Sequence, residues 1–316
     1  MEKQKNYIVW FEMNSTVKCN INSTDVFAEG EKCATQKTLV VVNCALNVAL
    51  ILISISGNTL VVFAMIKTPR IRSSSMSMLL NLAVSDLLVG LISQPFFVAS
   101  ELTVNSLLEK LSEMIEFILC GISICTMTAI SVDRFIALQY PMRYQSAIIT
   151  RPRVTYASII IIWIGNVSSS GLYLWHWPTY FGMMAVGLCA CIILSTFSYV
   201  KIYLIVRQHQ IQIRAQEMAA SQSISEGQTT NLLQNKRSAM NTFIFYIVMI
   251  LCYIPILISI CLSSISYKDW TKTWHLAETV AFFNSSINPL LYCWRLRDLR
   301  AAVIKTLEKL LCKQKR

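Results

Sequence analysis

The sequence carries little charge for its length, since only 14% of its 316 residues are Asp, Glu, Lys or Arg. A soluble domain usually has about 25% charged residues, so this chain is short of the side chains that face water. It also has only 9 glycines, which excludes a collagen-like composition, while 54% hydrophobic residues exclude a disordered chain. The net charge of +11 does not by itself predict a nucleic-acid partner, and we expect none, because in an apolar chain the position of the charges matters more than their total.

Long runs without charge dominate the sequence, and a helix that crosses a membrane needs about 20 mostly apolar residues. Seven such helices, called spans one to seven below, account for these runs. The longest run, Val154–Val200, is too long for one crossing, and His176-Trp177-Pro178-Thr179 divides it into two spans joined by almost no loop. The predicted fold class is therefore an all-α membrane protein, a seven-transmembrane helix bundle. The predicted spans are Thr38–Ile66, Ser73–Ser100, Leu107–Leu138, the two halves of Val154–Val200, Ser238–Tyr267 and Lys272–Trp294.

The basic residues predict which side of the membrane each end occupies. Most of the 28 Lys and Arg residues fall in the loops after spans one, three and five and in the C-terminal tail, and basic loops stay in the cytoplasm. Residues 1–37 then form an extracellular tail, residues 38–294 the transmembrane domain, and residues 295–316 a cytoplasmic segment. In that last segment apolar residues recur between basic ones, which predicts an amphipathic helix on the membrane surface. Cys312 follows as a candidate for palmitoylation, with a free thiol as the alternative.

The extracellular tail carries candidate modification sites. Two glycosylation sequons begin at Asn14 and Asn22. Cys19 and Cys33 lie outside the spans and are free to pair on this side, and Cys261, near the outer end of span six, is a third candidate partner. The tail contains no apolar run, so we expect no cleavable signal peptide and expect span one to act as the signal anchor.

Asp86 stands in the middle of span two, where a carboxylate is costly and is read as functional. Other polar residues lie at a comparable depth in spans one, three and seven: Asn58, Ser123, Asn284, Ser285 and Asn288. Together with Asp86 they could line a water-filled pocket and hold a cation such as sodium. The alternative is a satisfied hydrogen-bond network that only locks helix packing, and the sequence favours neither.

Six of the spans also carry a short motif, and the order of these motifs is informative. They are Gly57-Asn58, Asn81-Leu-Ala-Val-Ser-Asp86, Asp133-Arg134-Phe135, Trp163, Pro255 and Asn288-Pro289-Leu-Leu-Tyr292. In this order they resemble the landmarks of the rhodopsin-like (class A) G-protein-coupled receptors, from about residue 40 to about residue 312. The resemblance implies a plasma-membrane receptor that couples an extracellular ligand to a heterotrimeric G protein. Serines in the inner loop after span five allow regulation by a kinase or by arrestin.

The resemblance also implies roles for residues at the inner ends of the spans. Asp133 can hold Arg134 by a charge-assisted hydrogen bond until span six swings outward, and Arg134 then meets the G protein. Tyr199 and Tyr292 turn inward to support Arg134. Pro255 should kink span six, because proline removes one backbone hydrogen bond, and the kink can serve as a hinge.

Several positions depart from the family pattern. Phe135 replaces a tyrosine, Tyr253 stands where a tryptophan usually precedes the proline of span six, and Cys191 stands where span five often has a proline. The inner end of span six has Asn235 in place of an acid that could pair with Arg134. We therefore expect a loosely held inactive state and high basal activity, which should exceed the activity of an Arg134→Ala variant.

The outer ends of the spans suggest a branch of the family. Most members link the outer end of span three to the second outer loop by a disulfide, but here the matching position is Glu109 and the loop at His176–Tyr180 has no cysteine. This combination is similar to the melanocortin receptors. Pro141–Tyr144 and Tyr292–Arg300 are more similar to the adenosine receptors. The resemblance therefore points to the wider group of melanocortin, adenosine, cannabinoid and lysophospholipid receptors.

Glu109, Glu113 and Glu116 are spaced four and three residues apart, so they share one face of span three. Three like charges on one face repel, and they persist most easily if a cation lies between them. This pattern favours a cationic ligand, either a basic peptide or an amine. The alternative is that Glu109 and Glu113 simply face water at a helix end. An adenosine-like nucleoside or a lipid is the contrary option for the ligand.

The resemblance adds possible partners for these acids. Melanocortin receptors use acids at positions matching Glu109 and Glu113 to hold calcium and an arginine of the peptide. Their third acid, in span two, is matched here by Phe96, and Glu101, five residues on, can substitute for it only if the end of the helix allows it. Glu116 instead matches the depth at which amine receptors keep an aspartate for the ligand ammonium.

Other classes of seven-span protein fit less well. An opsin needs a lysine in the middle of span seven, where Phe282 stands. A transporter could use Asp86 as an ion site, but the sequence shows no internal repeat. A membrane enzyme is disfavoured because the 3 histidines are scattered and no nucleophile motif is present.

Overall fold

The computed structural model describes the backbone of eight segments and most of the side chains within them. These segments are residues 26–68, 74–103, 105–146, 151–219, 244, 246–262, 270–295 and 297–313. Within them the chain is almost entirely helical and contains no strand. The predicted all-α fold class is confirmed.

Every predicted span corresponds to a helix. Span two consists of three consecutive pieces, Ser74–Leu88, Val89–Ser93 and Gln94–Leu102. The other spans, in chain order, are Val26–Lys67, Ser106–Gln139, Arg151–Trp175, Trp177–Ala219, Tyr246–Leu262 and Trp270–Arg295.

Five of these helices are long and apolar enough to cross a membrane, and the shorter helix Tyr246–Leu262 is apolar as well. Their outward faces carry large exposed apolar side chains, for example Leu52 of span one, Ile161 of span four and Ile193 of span five. A water-soluble monomer rarely exposes such wide apolar surface, whereas lipid solvates it. The bundle is therefore a multi-pass membrane domain. The five long helices include Lys37–Lys67, Met76–Leu102, Ser106–Gln139, Pro152–Trp175 and Thr179–Gln208.

Span three is the central helix of the bundle. It packs against spans two, four and five, while span one packs against spans two and seven. Gly57 permits the close approach of spans one and seven, because a Cβ atom at this position would lie only 2.9 Å from the Cβ and Cγ atoms of Pro289. The inner halves of spans one and seven are thus held together at two of the sequence motifs.

Span two contains a π-helical turn, Val89–Ser93, that the sequence analysis did not predict. The backbone N–H of Gln94 bonds to the carbonyl oxygen of Val89, five residues back, and Pro95 follows without an N–H of its own. Beyond the turn, regular α-helical spacing places Gln94, Phe97 and Glu101 on one face. The Phe97 ring lies 5.4 Å from the Phe282 ring, so this face points toward span seven.

The connection between spans four and five is a single residue, as predicted. Span four ends at Trp175 and span five begins at Trp177. The imidazole Nδ1 of His176 hydrogen-bonds the hydroxyl of Thr179 at 2.7 Å, and the backbone N–H groups of Thr179 and Tyr180 donate to the His176 carbonyl oxygen. His176 therefore caps the start of span five and makes a longer loop unnecessary.

The predicted amphipathic helix is Arg297–Lys313. It packs on spans one and seven, with Leu299 and Val303 buried against them. Ile304 and Leu307 remain exposed. Part of the apolar face assigned to the membrane surface therefore contacts the bundle instead.

Candidate functional site

The first candidate site lies at the outer end of the bundle and is built around Glu116 of span three. Glu116 is 2% exposed, and both of its carboxylate oxygens are buried without a hydrogen-bond partner among the described residues. It interacts electrostatically with Glu278 of span seven and with Tyr180 of span five, so it faces the interior of the bundle. An unpaired buried carboxylate is costly, so Glu116 is a candidate binding group for a cation.

Glu113 lies one turn further out and already has a donor. The hydroxyl of Tyr173, near the end of span four, donates to Glu113 Oε2 at 2.7 Å. Glu113 also interacts with Glu109 and with Glu278. The three acids of span three are thus close together, as their spacing suggested, but only Glu116 is both fully buried and without a donor within the described part of the chain.

Glu109 is different because it sits in the first turn of span three and is half-buried. The side-chain oxygen of Asn105 caps this helix by accepting from the backbone N–H groups of Leu107 and Leu108 at 3.0 and 3.3 Å. An acid in a first turn is also favoured by the helix dipole. The local structure therefore gives Glu109 a role at the helix end that requires no ligand.

An ion pair joins the outer ends of spans two and seven. The His275 Nδ1 atom lies 3.1 Å from Glu101 Oε1 and 3.3 Å from Glu278 Oε2. Glu278 is 2% exposed and its carboxylate also receives a side-chain hydrogen bond from Trp274. The substitute acid Glu101 is therefore paired with His275 rather than directed toward Glu109.

Sequence reasoning missed Glu278 and His275 as site residues. Their spacing of three residues places them on one helix face, which was the available signal. The contact of His275 with Glu101, more than 170 residues away along the chain, has no sequence signal.

A hydrogen-bond network between spans one and seven holds His275 in place. The Thr279 hydroxyl donates to Asn43 Oδ1 at 2.7 Å, and Asn47 Nδ2 donates to the Thr279 hydroxyl at 2.8 Å. Asn43 Nδ2 donates to the backbone oxygen of His275 at 3.5 Å. These buried amides fix the outer turn of span seven, so the ion pair is set in a rigid frame.

A layer of aromatic rings surrounds the acids. Trp274 of span seven lies 6.0 Å from Phe117 of span three and 5.5 Å from Phe181 of span five, measured between ring centroids. Tyr173 and Tyr180 complete the layer at 6.3 and 5.6 Å from Phe117. All five side chains are buried. The faces of such rings attract cations, so the layer complements the carboxylates.

These acids were also a predicted calcium site, at Glu109 and Glu113. Within the described ranges, no group of three or more His, Cys, Asp or Glu side chains is arranged to hold a metal ion. Any calcium at this position would need oxygen ligands from its partner molecule or from water.

The second candidate site surrounds Asp86, which is fully buried. The Ser123 hydroxyl donates to Asp86 Oδ1 at 3.1 Å, and Asn288 Nδ2 donates to Asp86 Oδ2 at 2.8 Å. Ser285 contributes a further side-chain hydrogen bond. The carboxylate thus connects span two with spans three and seven, and the residues chosen from the sequence do meet around it.

The remaining asparagines of this site donate through their amide N–H groups, but their side-chain oxygens accept no hydrogen bond from the described residues. Asn58 Nδ2 donates to the backbone oxygens of Ser54 and Ser285 at 3.0 and 3.1 Å, and Asn284 Nδ2 contacts Met127 Sδ at 3.7 Å. The side-chain oxygens of Asn58, Asn284 and Asn288 are buried and lack a hydrogen-bond donor in the described structure. A purely structural network would have satisfied them, so the site retains unused acceptors near a carboxylate.

The third candidate site lies at the inner end of span three. The hydroxyl of Tyr144, in the short helix Pro141–Ser146, donates to the Asp133 carboxylate oxygens at 3.1 and 3.3 Å. The half-buried Arg134 interacts electrostatically with Asp133 and with Tyr199. Tyr199 in turn accepts a hydrogen bond from the Ser131 hydroxyl at 3.0 Å. Asp133 and Tyr199 therefore lie near Arg134, as the motif predicted, and Tyr144 is an additional partner of Asp133. Tyr292, which was also predicted to support Arg134, is fully buried and interacts electrostatically with Asp86.

Span six is connected to the rest of the bundle by two tyrosines. The Tyr253 hydroxyl donates to the backbone oxygen of Cys120 in span three at 3.3 Å. Tyr246 stacks on Tyr199 with ring centroids 4.6 Å apart. Pro255 lies inside span six, two residues after Tyr253. Pro289 lies inside span seven, one turn before the fully buried Tyr292.

Some predicted positions lie outside the described part of the molecule. Asn14, Asn22, Cys19 and Asn235 are not described, and neither are the side chains of Cys33 and Cys312. Cys261 is exposed and its thiol is free within the described structure.

In a comparison with known protein families, the family described as "7 transmembrane receptor (rhodopsin family)" matches residues 57–180 and 169–292. Together these two stretches extend from span one to the end of span seven. They contain Glu116, Asp86 and Arg134, the residues at the centres of the three candidate sites.

Proposed function

Because the chain belongs to the rhodopsin family of seven-transmembrane receptors, we propose that it binds a cationic ligand from outside the cell and activates heterotrimeric G proteins inside. Membership makes the protein a multi-pass receptor of the plasma membrane and not an enzyme. The ligand is a basic peptide or an amine, bound at the outer acids, and the G protein binds at the end where Arg134 lies.

The observation that carries the proposal is the state of Glu116. This carboxylate is buried beside Phe117 and Trp274 and finds no donor among the described side chains. A bound ammonium or guanidinium would supply the missing charge-assisted hydrogen bonds, while the aromatic faces would contact the rest of the cation. A neutral nucleoside or a lipid tail would leave the same carboxylate unpaired.

The orientation follows from the charges of the loops. The basic loops and the helix Arg297–Lys313 face the cytoplasm, where they meet anionic lipid and the G protein. The N-terminal tail with Asn14 and Asn22 is extracellular and glycosylated, Cys312 carries the palmitoyl chain, and receptor kinases and arrestin act on the inner loops.

A ligand screen tests the proposal. Cells that express the receptor and a G-protein dissociation sensor are exposed to cationic peptides, amines, neutral nucleosides and lipids, each with and without calcium, while ion flux is recorded in the same cells. We expect cationic compounds to give a saturable sensor response without ion flux. A response confined to nucleosides or lipids would contradict the cationic assignment, and ion flux without sensor response would favour a transporter.

The proposal includes a sodium ion at Asp86. The support is the donor set, because sodium prefers oxygen ligands and the site combines a carboxylate with the unused amide oxygens of Asn58, Asn284 and Asn288. Such an ion would hold spans one, two, three and seven in the observed arrangement.

Sodium should therefore stabilise the receptor against heat. We expect the unfolding midpoint of the detergent-solubilised receptor to rise when sodium chloride replaces choline chloride, by about 2 to 4 °C for each kcal/mol that bound sodium adds to the free energy of unfolding. The Asp86→Asn variant, which keeps the shape of the side chain but removes its charge, should show no such rise. Equal midpoints of the intact receptor in the two salts would contradict a sodium site, and potassium chloride controls for ionic strength.

A further inference from the structure

The outer site holds more carboxyl groups than a single monovalent cation can pair with. Glu101, Glu113, Glu116 and Glu278 converge there from spans two, three and seven. The His275 Nδ1 atom lies between Glu101 and Glu278. One ammonium group bound at Glu116 leaves Glu278 with His275 as a partner that Glu101 shares. A second positive charge on the ligand would add a charge-assisted hydrogen bond at Glu278.

Two of the carboxyl groups lie on different helices and have different surroundings. Glu116 on span three has no hydrogen-bond donor among the described residues, whereas Glu278 on span seven is part of the ion pair and is held there by Trp274 and His275. Both acids are 2% exposed, and they interact electrostatically across the bundle. A molecule with a cation at each end can form a charge-assisted hydrogen bond with each of them.

The aromatic rings beside the two acids favour a narrow ligand. The Trp274 ring of span seven lies 6.0 Å from Phe117 of span three and 5.5 Å from Phe181 of span five, so aromatic surface fills the region between these spans. A peptide backbone in this layer would bury amide groups that need partners, at a cost for each unpaired group. A chain of methylene groups carries no such cost and packs against rings.

Span two supplies an additional unsatisfied group on the same face as Glu101. Gln94 is completely buried, and neither its side-chain oxygen nor its nitrogen has a hydrogen-bond partner among the residues that the structure describes. It lies two turns deeper than Glu101, with Phe97 between them against His275 and Phe282. Its oxygen is a neutral acceptor for an ammonium group, independent of the acids.

We propose that the ligand is a slender aliphatic diamine or polyamine, with one ammonium group at Glu116 and the second at Glu278 beside His275. This inference rests on the proposed function, because it specifies the chemical class of the cationic ligand. The methylene chain lies along Phe117 and Trp274, whose faces also attract the two ammonium groups. The distance between the two acids then selects for the length of the chain.

The test compares diamines with monoamines of equal chain length. Full-length receptor in cells with a G-protein sensor is titrated with terminal diamines from diaminopropane to diaminooctane and with the matching alkylamines. We expect the best diamine to be about 10- to 100-fold more potent than its matched monoamine, because a second charge-assisted hydrogen bond has this effect on affinity. Potency should pass through an optimum as the chain lengthens.

The isosteric variant Glu278→Gln separates this inference from the proposed function. It should remove the advantage of the diamine, so that the ratio of diamine to monoamine potency falls to about one, whereas Glu116→Gln should weaken both compounds strongly. Equal potency of diamine and monoamine on the intact receptor would overturn the inference, whether or not the variant reaches the surface. A receptor that responds to basic peptides but to no amine would overturn it as well, while the cationic assignment would stand. A Glu116→Gln receptor with unchanged responses would overturn the proposed function itself.

Discussion

Cells that express Glu116→Gln should need an agonist concentration on the order of 100- to 1,000-fold higher than cells with the intact receptor. Glutamine has the same shape but no charge, so the change removes the ionic part of the contact and little else. The expected loss is large because Glu116 is 2% exposed, and water does not screen an interaction at that depth. The measurement is a dose–response curve from a G-protein sensor, corrected for receptor at the cell surface.

Glu109→Gln is the matched control for this variant. It removes the same charge two turns outward on the same helix, at a position in the first turn that is half-buried. We expect a shift of less than about threefold there, because a charge at a helix end that is partly open to solvent contributes little. Glu116→Lys should abolish the response altogether, since the reversed charge repels the ligand. A dose response unchanged by Glu116→Gln would refute the assignment of this carboxylate.

Arg134→Ala should reduce ligand-stimulated nucleotide exchange on the G protein to the level of membranes without receptor, while agonist binding survives. The physical reason is position: Arg134 is held at the inner end of span three by Asp133 and Tyr199, 18 residues from Glu116. At 1.5 Å per residue this places it about 27 Å from the ligand site, too far to touch the ligand. The two functions should therefore separate in a radioligand assay and an exchange assay on the same membranes.

Arg143→Ala serves as the control for charge on the inner face, because Arg143 is exposed in the short helix that also carries Tyr144. It should retain most of the exchange activity. The same membranes measure basal activity, since Arg134→Ala sets the zero level. Intact receptor without ligand should exceed that level if the inactive state is loosely held. Full activity in Arg134→Ala would contradict the role inferred from the motif.

Span three links the three sites physically. It carries Glu116 in the outer site, Ser123 against Asp86, and Arg134 at the inner end. Tyr253 of span six donates to the Cys120 carbonyl between the first two of these. A tryptophan at this position would lack the hydroxyl, so the departure from the family pattern supplies a polar link between spans three and six. If span three or span six moves after ligand binding, either this hydrogen bond breaks or the two helices move together.

The sequence was sufficient to predict the bundle. A membrane-spanning helix needs a long apolar run, and this requirement is local to each segment. The division at His176 was also predictable, because Pro178 and the lack of any charge in the run allow no long loop. Asp86 and its partners were predictable as a group, since a carboxylate at that depth must find polar partners and few exist at the same level.

The details of the outer site were not predictable. The π-helical turn at Val89–Ser93 changes which residues of span two face span seven. This turn could not be predicted, because the one extra residue that a π-helical turn contains has no distinct sequence signature. The aromatic layer was missed because each ring alone resembles an ordinary core residue. The pairing of Glu101 with His275, and of Tyr144 with Asp133, depends on contacts between elements that periodicity within one helix does not report.

The most direct test of the account is nucleotide exchange by a purified G protein with purified receptor in lipid vesicles. The account predicts that a cationic agonist accelerates exchange saturably, that Glu116→Gln shifts the agonist curve by on the order of 100-fold or more, and that Arg134→Ala abolishes acceleration without loss of binding. Exchange that is accelerated equally in the intact receptor and in Glu116→Gln would contradict the account.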